Sequence, residues 1–309
     1  MTTTVHDVTD QYPTRQGDAP RVIPRQDPVV QGTADQGPMD AATLRGFDEK
    51  GYLTMEKLIS DEELTLFRDE LARLADDPEV KSDERTVVEA TSQEVRSIFD
   101  IHRSNEVFRR IAHDPRIVRR AEQILGSQVY IHQSRINYKP GFVGKDFTWH
   151  SDFETWHAED GMPTPRAVSI SISLTDNYSF NGPLMIMPGS HKHYISAVGT
   201  TPEDNFKQSL VMQGAGVPDP ETLTEFADRF GIDVLEGPAG GASCSTRTAC
   251  TPPTATSPRT RGPTCSSSTT RWRTLRQSRS PPRRHDPSSS EAATSPRSAE
   301  YSEPLPGTR

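Results

Sequence analysis

Residues 166–191 read RAVSISISLTDNYSFNGPLMIMPGSH. Val168, Ile170, Ile172 and Leu174 recur at every second position, and Leu184 to Met187 forms a second short apolar run. Side chains at i and i+2 of a strand share a face, so this spacing predicts strands with one face in a core. Asn181-Gly182 and Pro188-Gly189 are turn signals between and after them. Working outward toward the N-terminus, Val129 to Tyr138 reads as a further strand that ends at a Pro140-Gly141 turn.

Before Gly126 the period is about 3.6. Ser60-Asp61-Glu62-Glu63 is a capping box, and Leu64, Leu66, Phe67, Leu71 and Leu74 follow at helical spacing, which predicts an amphipathic helix through about Asp76. A second helix is expected from Asn105 to Leu125. Helices followed by a run of short strands predict an α+β fold whose strands close into a sandwich or barrel.

The chain has 309 residues, of which 32% are hydrophobic, enough for one large domain with a real core. Its mean hydropathy of -0.69 is low for a wholly folded chain, so part of it is expected to be unstructured. A net charge of -8 argues against a surface that tracks phosphates, and nucleic acid is not an expected partner. No apolar run spans a bilayer and no basic-then-apolar start resembles a signal peptide, so neither membrane nor export is expected and the location expected is cytoplasmic. Cys244, Cys250 and Cys265 form neither a disulfide framework nor a Cys-x-x-Cys metal motif.

Three regions result. Residues 1–38 lack apolar periodicity and are expected to be a flexible N-terminal arm. Residues 39–241 carry the globular pattern. In residues 242–309, 47 of 68 positions are Ser, Thr, Pro or Arg, and Val, Ile, Phe and Met are absent. Such a stretch buries too little apolar surface to offset its conformational entropy, so a low-complexity, disordered tail is expected.

Between the predicted strands lies FTWHSDFETWHAEDGMP, residues 147–163. On an extended strand His150 and Asp152 would face the same way, a geometry suited to two corners of an iron facial triad. The pair alone is weak evidence in a chain with 9 histidines. Taken alone, a surface loop in which both merely cap or hydrogen-bond is the plainer reading of the pair. His157, His191 and His193 are further candidates, and the turn around Pro188-Gly189-Ser190-His191 favours a structural role for His191.

WHSDFETWH together with NGPLMIMPGSH and VYIHQSRINYKPGF is far more specific. Over roughly residues 40–240 the chain resembles the ectoine hydroxylases, within the phytanoyl-CoA dioxygenase-like group of iron(II)- and 2-oxoglutarate-dependent oxygenases. The resemblance implies a double-stranded β-helix (jelly roll) core with N-terminal helices, and an enzyme that uses Fe(II), 2-oxoglutarate and O2 to hydroxylate ectoine to 5-hydroxyectoine, a compatible solute. It implies that His150 and Asp152 are metal ligands and catalytic, that Lys139 contacts 2-oxoglutarate, and that Gln133, Phe147 and Trp156 line the substrate pocket. An indole face at Trp156 suits the delocalised cation of the ectoine ring, and a lysine suits a dicarboxylate. Core packing for Phe147 and Trp156, and a solvated strand end for Lys139, are the plainer readings. A homodimer is left open.

The third iron ligand departs from that pattern. It is expected as a histidine on a late strand, yet the histidine that follows His193 is His285, set in Arg-Arg-His-Asp within the low-complexity tail. Codons offer an account. ASCSTRTACT, residues 242–251, permits GCG TCC TGT TCG ACT CGA ACT GCA TGC ACG. Read from the third nucleotide, that string encodes Val-Leu-Phe-Asp-Ser-Asn-Cys-Met-His, a strand pattern ending in histidine. Continuing to Leu275 allows a string of the kind NGNISPDPRANVFFVYNSVEN, with strand alternation, an arginine and aromatics. The tail is therefore expected to be an out-of-frame translation that starts near residues 240–242, which leaves the jelly roll incomplete and the catalyst impaired. A related oxygenase for another small substrate, and a non-catalytic remnant, are the alternatives.

Overall fold

The computed structural model describes residues 10–89, 92–138, 149–179, 181–199, 217–246 and 248, and the backbone of 269–275. Seven antiparallel strands form the main sheet, in the order β2 (Tyr52–Met55), β10 (Ala242–Thr246), β6 (Ala167–Ser173), β11 (Thr269–Leu275), β5 (Arg135–Asn137), β4 (Val95–Phe99) and β3 (Thr86–Val88). Two small sheets accompany it: β1 (Val22–Pro24) with β8 (His193–Ile195), and β7 (Leu184–Ile186) with β9 (Asp233–Leu235).

β6 is the expected strand, and it is central. It pairs along its length with β10 on one side and β11 on the other, with Ile170 opposite Cys244 and, by backbone register, Trp272. Val168, Ile170 and Ile172 join one large core with Leu44 and Phe47 of α1 (Ala41–Lys50), Leu64, Phe67, Leu71 and Leu74 of α2 (Asp61–Asp76), and the buried faces of α5 (Glu106–Ala112) and α6 (Pro115–Leu125). The alternate residues face the other way: Ala167 belongs to a separate cluster with Trp156, and Ser169 and Ser171 are buried beside it in the period-2 pattern. One sheet face thus carries branched apolar side chains toward the helices. The other carries small and polar ones toward the candidate site.

The capping box at α2 forms as read: the Ser60 amide donates to Glu63 Oε2 at 2.7 Å and the Glu63 amide donates to Ser60 Oγ at 3.2 Å. Leu66 is the one member of its predicted apolar set that is exposed. The single helix expected over 105–125 is two. Pro115 cannot continue a preceding helical turn, so α5 ends at Ala112, and Asp114 caps α6 by accepting from the Arg116 amide at 2.7 Å. The strand expected over Val129–Tyr138 is confined to Arg135–Asn137. The remaining described α-helices are short α3 (Pro78–Ser82) and α4 (Ile101–Ser104), α7 (Asp152–Asp160) and α8 (Pro220–Phe230).

Two regional expectations differ from the structure. Residues 10–38, expected to be a flexible arm, are packed: Tyr12 is wholly buried and Val22–Pro24 pairs with β8 in register Ile23 to Tyr194. The described part of the region from 242 onward, expected to be disordered, includes β10 within the main sheet, with Ala242 and Cys244 in the helix-facing core. Backbone pairing asks for no particular side chain, and residues as small as Ala, Cys and Ser fit between β2 and β6 without displacing either.

Candidate active site

The FTWHSDFETWH run builds the site, with its aspartate on a helix rather than a strand. Ser151 is the extended N-cap residue of α7, and Asp152 is the first helical residue. His150 and Asp152 are both more than nine-tenths buried, with His150 Nε2 3.7 Å from Asp152 Oδ1. The helix N-terminus favours the anionic carboxylate at that position, because the first-turn amides point toward it. The shared orientation expected of an i, i+2 pair is therefore achieved across a strand-to-helix junction.

An imidazole nitrogen and a carboxylate oxygen this close are chemically suited to one first-row divalent ion, and their burial would shield it from bulk water. The donor set fits iron(II) as two of its protein ligands. Among the described residues no group of three His, Cys, Asp or Glu converges as a metal site, so the third ligand is not supplied there. Ser169, on the site-facing side of β6, has a fully buried hydroxyl with no hydrogen-bond partner among the described residues. A polar ligand beside the sheet would satisfy it.

Trp156 lies one helical turn from Asp152 and is 5% exposed. It packs in a cluster with Tyr12, Phe153, Met162, Ala167 and Tyr194, and the His132 ring meets it edge-on with centroids 5.0 Å apart. His132 is also held 3.1 Å from Asp160 Oδ2, at the far end of the same helix. Gln133 follows it, half-buried and two residues before β5, so the Gln133 segment lies alongside α7. Lys139 and Phe147 lie outside the described residues, and so does His285.

The other histidines have structural surroundings. His191 is wholly buried, its Nε2 donates to the Asp48 carbonyl at 3.0 Å, and desolvation lowers its pKa to about 4, keeping it neutral. His157 is held by the Met162 carbonyl at 2.7 Å and Asp10 at 3.1 Å, and His193 packs edge-on to Phe226 and tilted against Phe230. The residues missed from sequence are Thr14, Arg15 and Glu154, whose side chains meet beneath α7. Their positions differ by 139 and 140, a distance that no local period reveals.

Most of the chain is similar to known proteins. Residues 47–230 match the family model described as Phytanoyl-CoA dioxygenase (PhyH). The chain is 56% identical over 237 residues to a Streptomyces avermitilis protein named ectoine dioxygenase, a match covering 76% of this chain and 80% of that protein. Among solved structures, EctD from S. alaskensis with 2-oxoglutarate and 5-hydroxyectoine superposes with a TM-score of 0.75 at 37% identity, covering 86% of each chain. The same protein with bound Fe gives 0.74 at 38% identity over 86% of this chain and 87% of that one. The α+β fold with its double-stranded β-helix core is therefore the one these enzymes share, and the chain belongs to the phytanoyl-CoA dioxygenase family.

Proposed function

We propose that this chain descends from an iron(II)- and 2-oxoglutarate-dependent dioxygenase that hydroxylates ectoine to 5-hydroxyectoine. The observation that carries the reading is the buried His150–Asp152 pair at the N-terminus of α7, with Trp156 one turn away, in a chain 56% identical to a named ectoine dioxygenase. His150 and Asp152 would hold the iron, which when bound with 2-oxoglutarate activates O2 for insertion into a C–H bond. Lys139 offers an ammonium for a carboxylate of 2-oxoglutarate. Ser169 adds a buried hydroxyl on the site-facing side of β6. Gln133, Phe147 and Trp156 would orient ectoine, the amide by hydrogen bonding and the aromatic rings against its cation. A cytoplasmic location and homodimeric assembly belong to the same reading.

The out-of-frame account of the residues from 242 onward is part of the proposal. Its support is the alternative reading of ASCSTRTACT, which restores a histidine after a strand pattern, and a family match that ends at residue 230. With two of three ligands present, the chain as written would bind iron weakly and turn over poorly.

Ectoine-dependent succinate formation tests both parts. Three proteins are compared: the chain as written, a chain whose frame is restored near codon 241, and that restored chain carrying His150→Ala or Asp152→Ala. The restored chain should consume 2-oxoglutarate with ectoine, and each alanine variant should lose at least about 100-fold in rate, as expected when a metal ligand is removed. Equal activity with and without the restored frame would remove the frameshift. Activity that survives both alanine variants would remove the ligand assignment.

A further inference from the structure

Helix α7 is gripped from outside by the segment that precedes β1. Glu154, two residues after Asp152, is a carboxylate with 1% of its side chain exposed. Its Oε1 accepts from Thr14 Oγ1 at 2.7 Å and from Arg15 Nε at 3.0 Å, and its Oε2 accepts from Arg15 Nη2 at 2.9 Å. The same guanidinium reaches the last turn of the helix, where Nη1 donates to Glu159 Oε1 at 3.0 Å. One planar, rigid cation thus touches the helix at both ends.

The segment is itself pinned. The Arg15 amide donates to the Ala197 carbonyl at 2.9 Å, and the Ala197 amide donates to Thr14 Oγ1 at 2.9 Å. Tyr12 is buried with its ring edge-on to Phe153 and Tyr194, at 5.3 and 5.4 Å, and its hydroxyl donates to Asp27. Asp10 reaches His157 at 3.1 Å. Arg15 holds φ +55, a left-handed conformation that a non-glycine residue keeps only where its surroundings enforce it.

We propose that residues 10–15 act as a strap that sets the rotation and depth of α7, and so the placement of Asp152 against His150, with Arg15 and Glu154 as positioning residues for the metal pair. The inference rests on the reading of that pair as ligands. A buried ion pair adds little net stability over an apolar pair of the same volume, whereas a two-ended guanidinium fork defines orientation. Contacts to Phe153, Glu154, His157 and Glu159 leave α7 little freedom to turn about its own axis.

The test uses the full chain with Arg15→Ala, Arg15→Lys and Glu159→Gln, read by hydrogen exchange and by titration with Co(II) alone, followed by its visible absorption. Arg15→Ala should speed exchange of amides 153–160 by about 10-fold or more while amides 117–125 of α6 stay protected. Its Co(II) dissociation constant should rise about 10-fold, the lower end of what loss of supporting contacts around a metal ligand produces. Arg15→Lys, which keeps the charge and loses the fork, should fall between. If α7 protection is unchanged in Arg15→Ala, the strap is refuted. If α7 loosens and Co(II) affinity is unchanged, the segment holds the helix without positioning the site, which also overturns the proposal. Where the unsubstituted chain and His150→Ala take up Co(II) identically, the ligand reading itself fails, and exchange alone decides the strap. Should Arg15→Ala not fold, Glu159→Gln gives the milder form, with faster exchange confined to residues 157–160; no change there counts against the strap.

Discussion

Residues 10–38 and the strand that begins at Ala242 both join the packed molecule from stretches without apolar periodicity, and they join it by different means. The arm is held by a few large anchors. Tyr12 is buried among aromatic rings, Arg15 spans α7, and Arg25 donates to the backbone carbonyls of Asp27, Pro28 and Pro165. β10 is held by its backbone, paired over four residues with β2 and five with β6, and it offers the core a methyl group at Ala242 and a thiol at Cys244. Composition averaged over a stretch registers neither arrangement. It misses the arm because anchors are few, and it misses β10 because pairing is indifferent to side chains.

Among the described residues, the two regions meet at Arg25 and Thr248. Arg25 Nη1 donates to Thr248 Oγ1 at 3.2 Å, Thr248 Oγ1 donates to the His191 carbonyl at 3.0 Å, and the Arg25 amide donates to the Lys192 carbonyl at 2.8 Å. The contrast can therefore be broken from either side and at the junction. The largest effect is expected in the arm: Tyr12→Ala should cost about 3 to 5 kcal/mol, the usual range for removing a buried aromatic ring. Urea denaturation measures it. A cost under about 1 kcal/mol would mean that the arm is an ornament on a core stable without it, and the contrast would vanish.

How much was legible follows the same division. The period-2 run of β6 and the capping box of α2 are local patterns, and each appears where it is read, whereas His150 and Asp152, read as a pair on one strand, lie together across a strand-to-helix junction. The break at Pro115 was equally local and was overridden by the longer helical period of 105–125. Glu154 illustrates the opposite case. A buried carboxylate needs a partner, but its partners at Thr14 and Arg15 lie 140 and 139 residues earlier in the chain, so only the folded molecule brings them to it. The helix start at Asp152 was obscured by a motif that fits a strand as readily as a junction.

A second effect belongs to the junction. His191 lies wholly buried beneath it, with a pKa near 4 against 6.5 for an ordinary histidine. Between these values the unfolded chain binds a proton that the folded chain does not. Stability is therefore complete above about pH 6.5, declines as the pH falls through that window, and levels off below about 4, a loss of up to about 3 kcal/mol. Denaturation curves at pH 7, 5.5 and 4.5 should show the decline, and His191→Gln should flatten it while lowering stability at pH 7. A decline of equal slope in the variant would assign it to other groups. Gly51, at φ +80, leaves no room for repair by substitution, since a Cβ there would lie 2.3 Å from His191 Nδ1.

Next in size is the hydroxyl that ties arm to tail. Thr248→Val keeps the volume and removes both hydrogen bonds, leaving Arg25 Nη1 and the His191 carbonyl without it, at a cost of about 1 to 2 kcal/mol. A double-mutant cycle with Arg25→Met sharpens the comparison. Coupling above about 0.5 kcal/mol means that arm and tail stabilise one another. Additive effects mean that they are held separately.

The smallest effect is expected in β10 itself. Cys244 is fully buried opposite Ile170 and Leu53, and burial pushes its thiol pKa up to about 12, so at neutral pH it is neither ionised nor accessible to a thiol reagent. Cys244→Ala removes one sulfur atom and leaves every backbone hydrogen bond of the strand in place, which predicts a cost of about 1 kcal/mol. In a Cys250→Ser, Cys265→Ser background, the rate of Cys244 labelling then reports how often β10 opens. If the strand is held by pairing alone, labelling should proceed by local opening well below the cost of global unfolding, and Tyr12→Ala in the arm should leave it nearly unchanged. Labelling that requires global unfolding, together with a Cys244→Ala cost near 3 kcal/mol, would show a strand packed as tightly as the selected core of β6. That result would count against an out-of-frame origin for these residues, because the fit of a side chain to its neighbours, unlike backbone pairing, is not obtained from an arbitrary sequence.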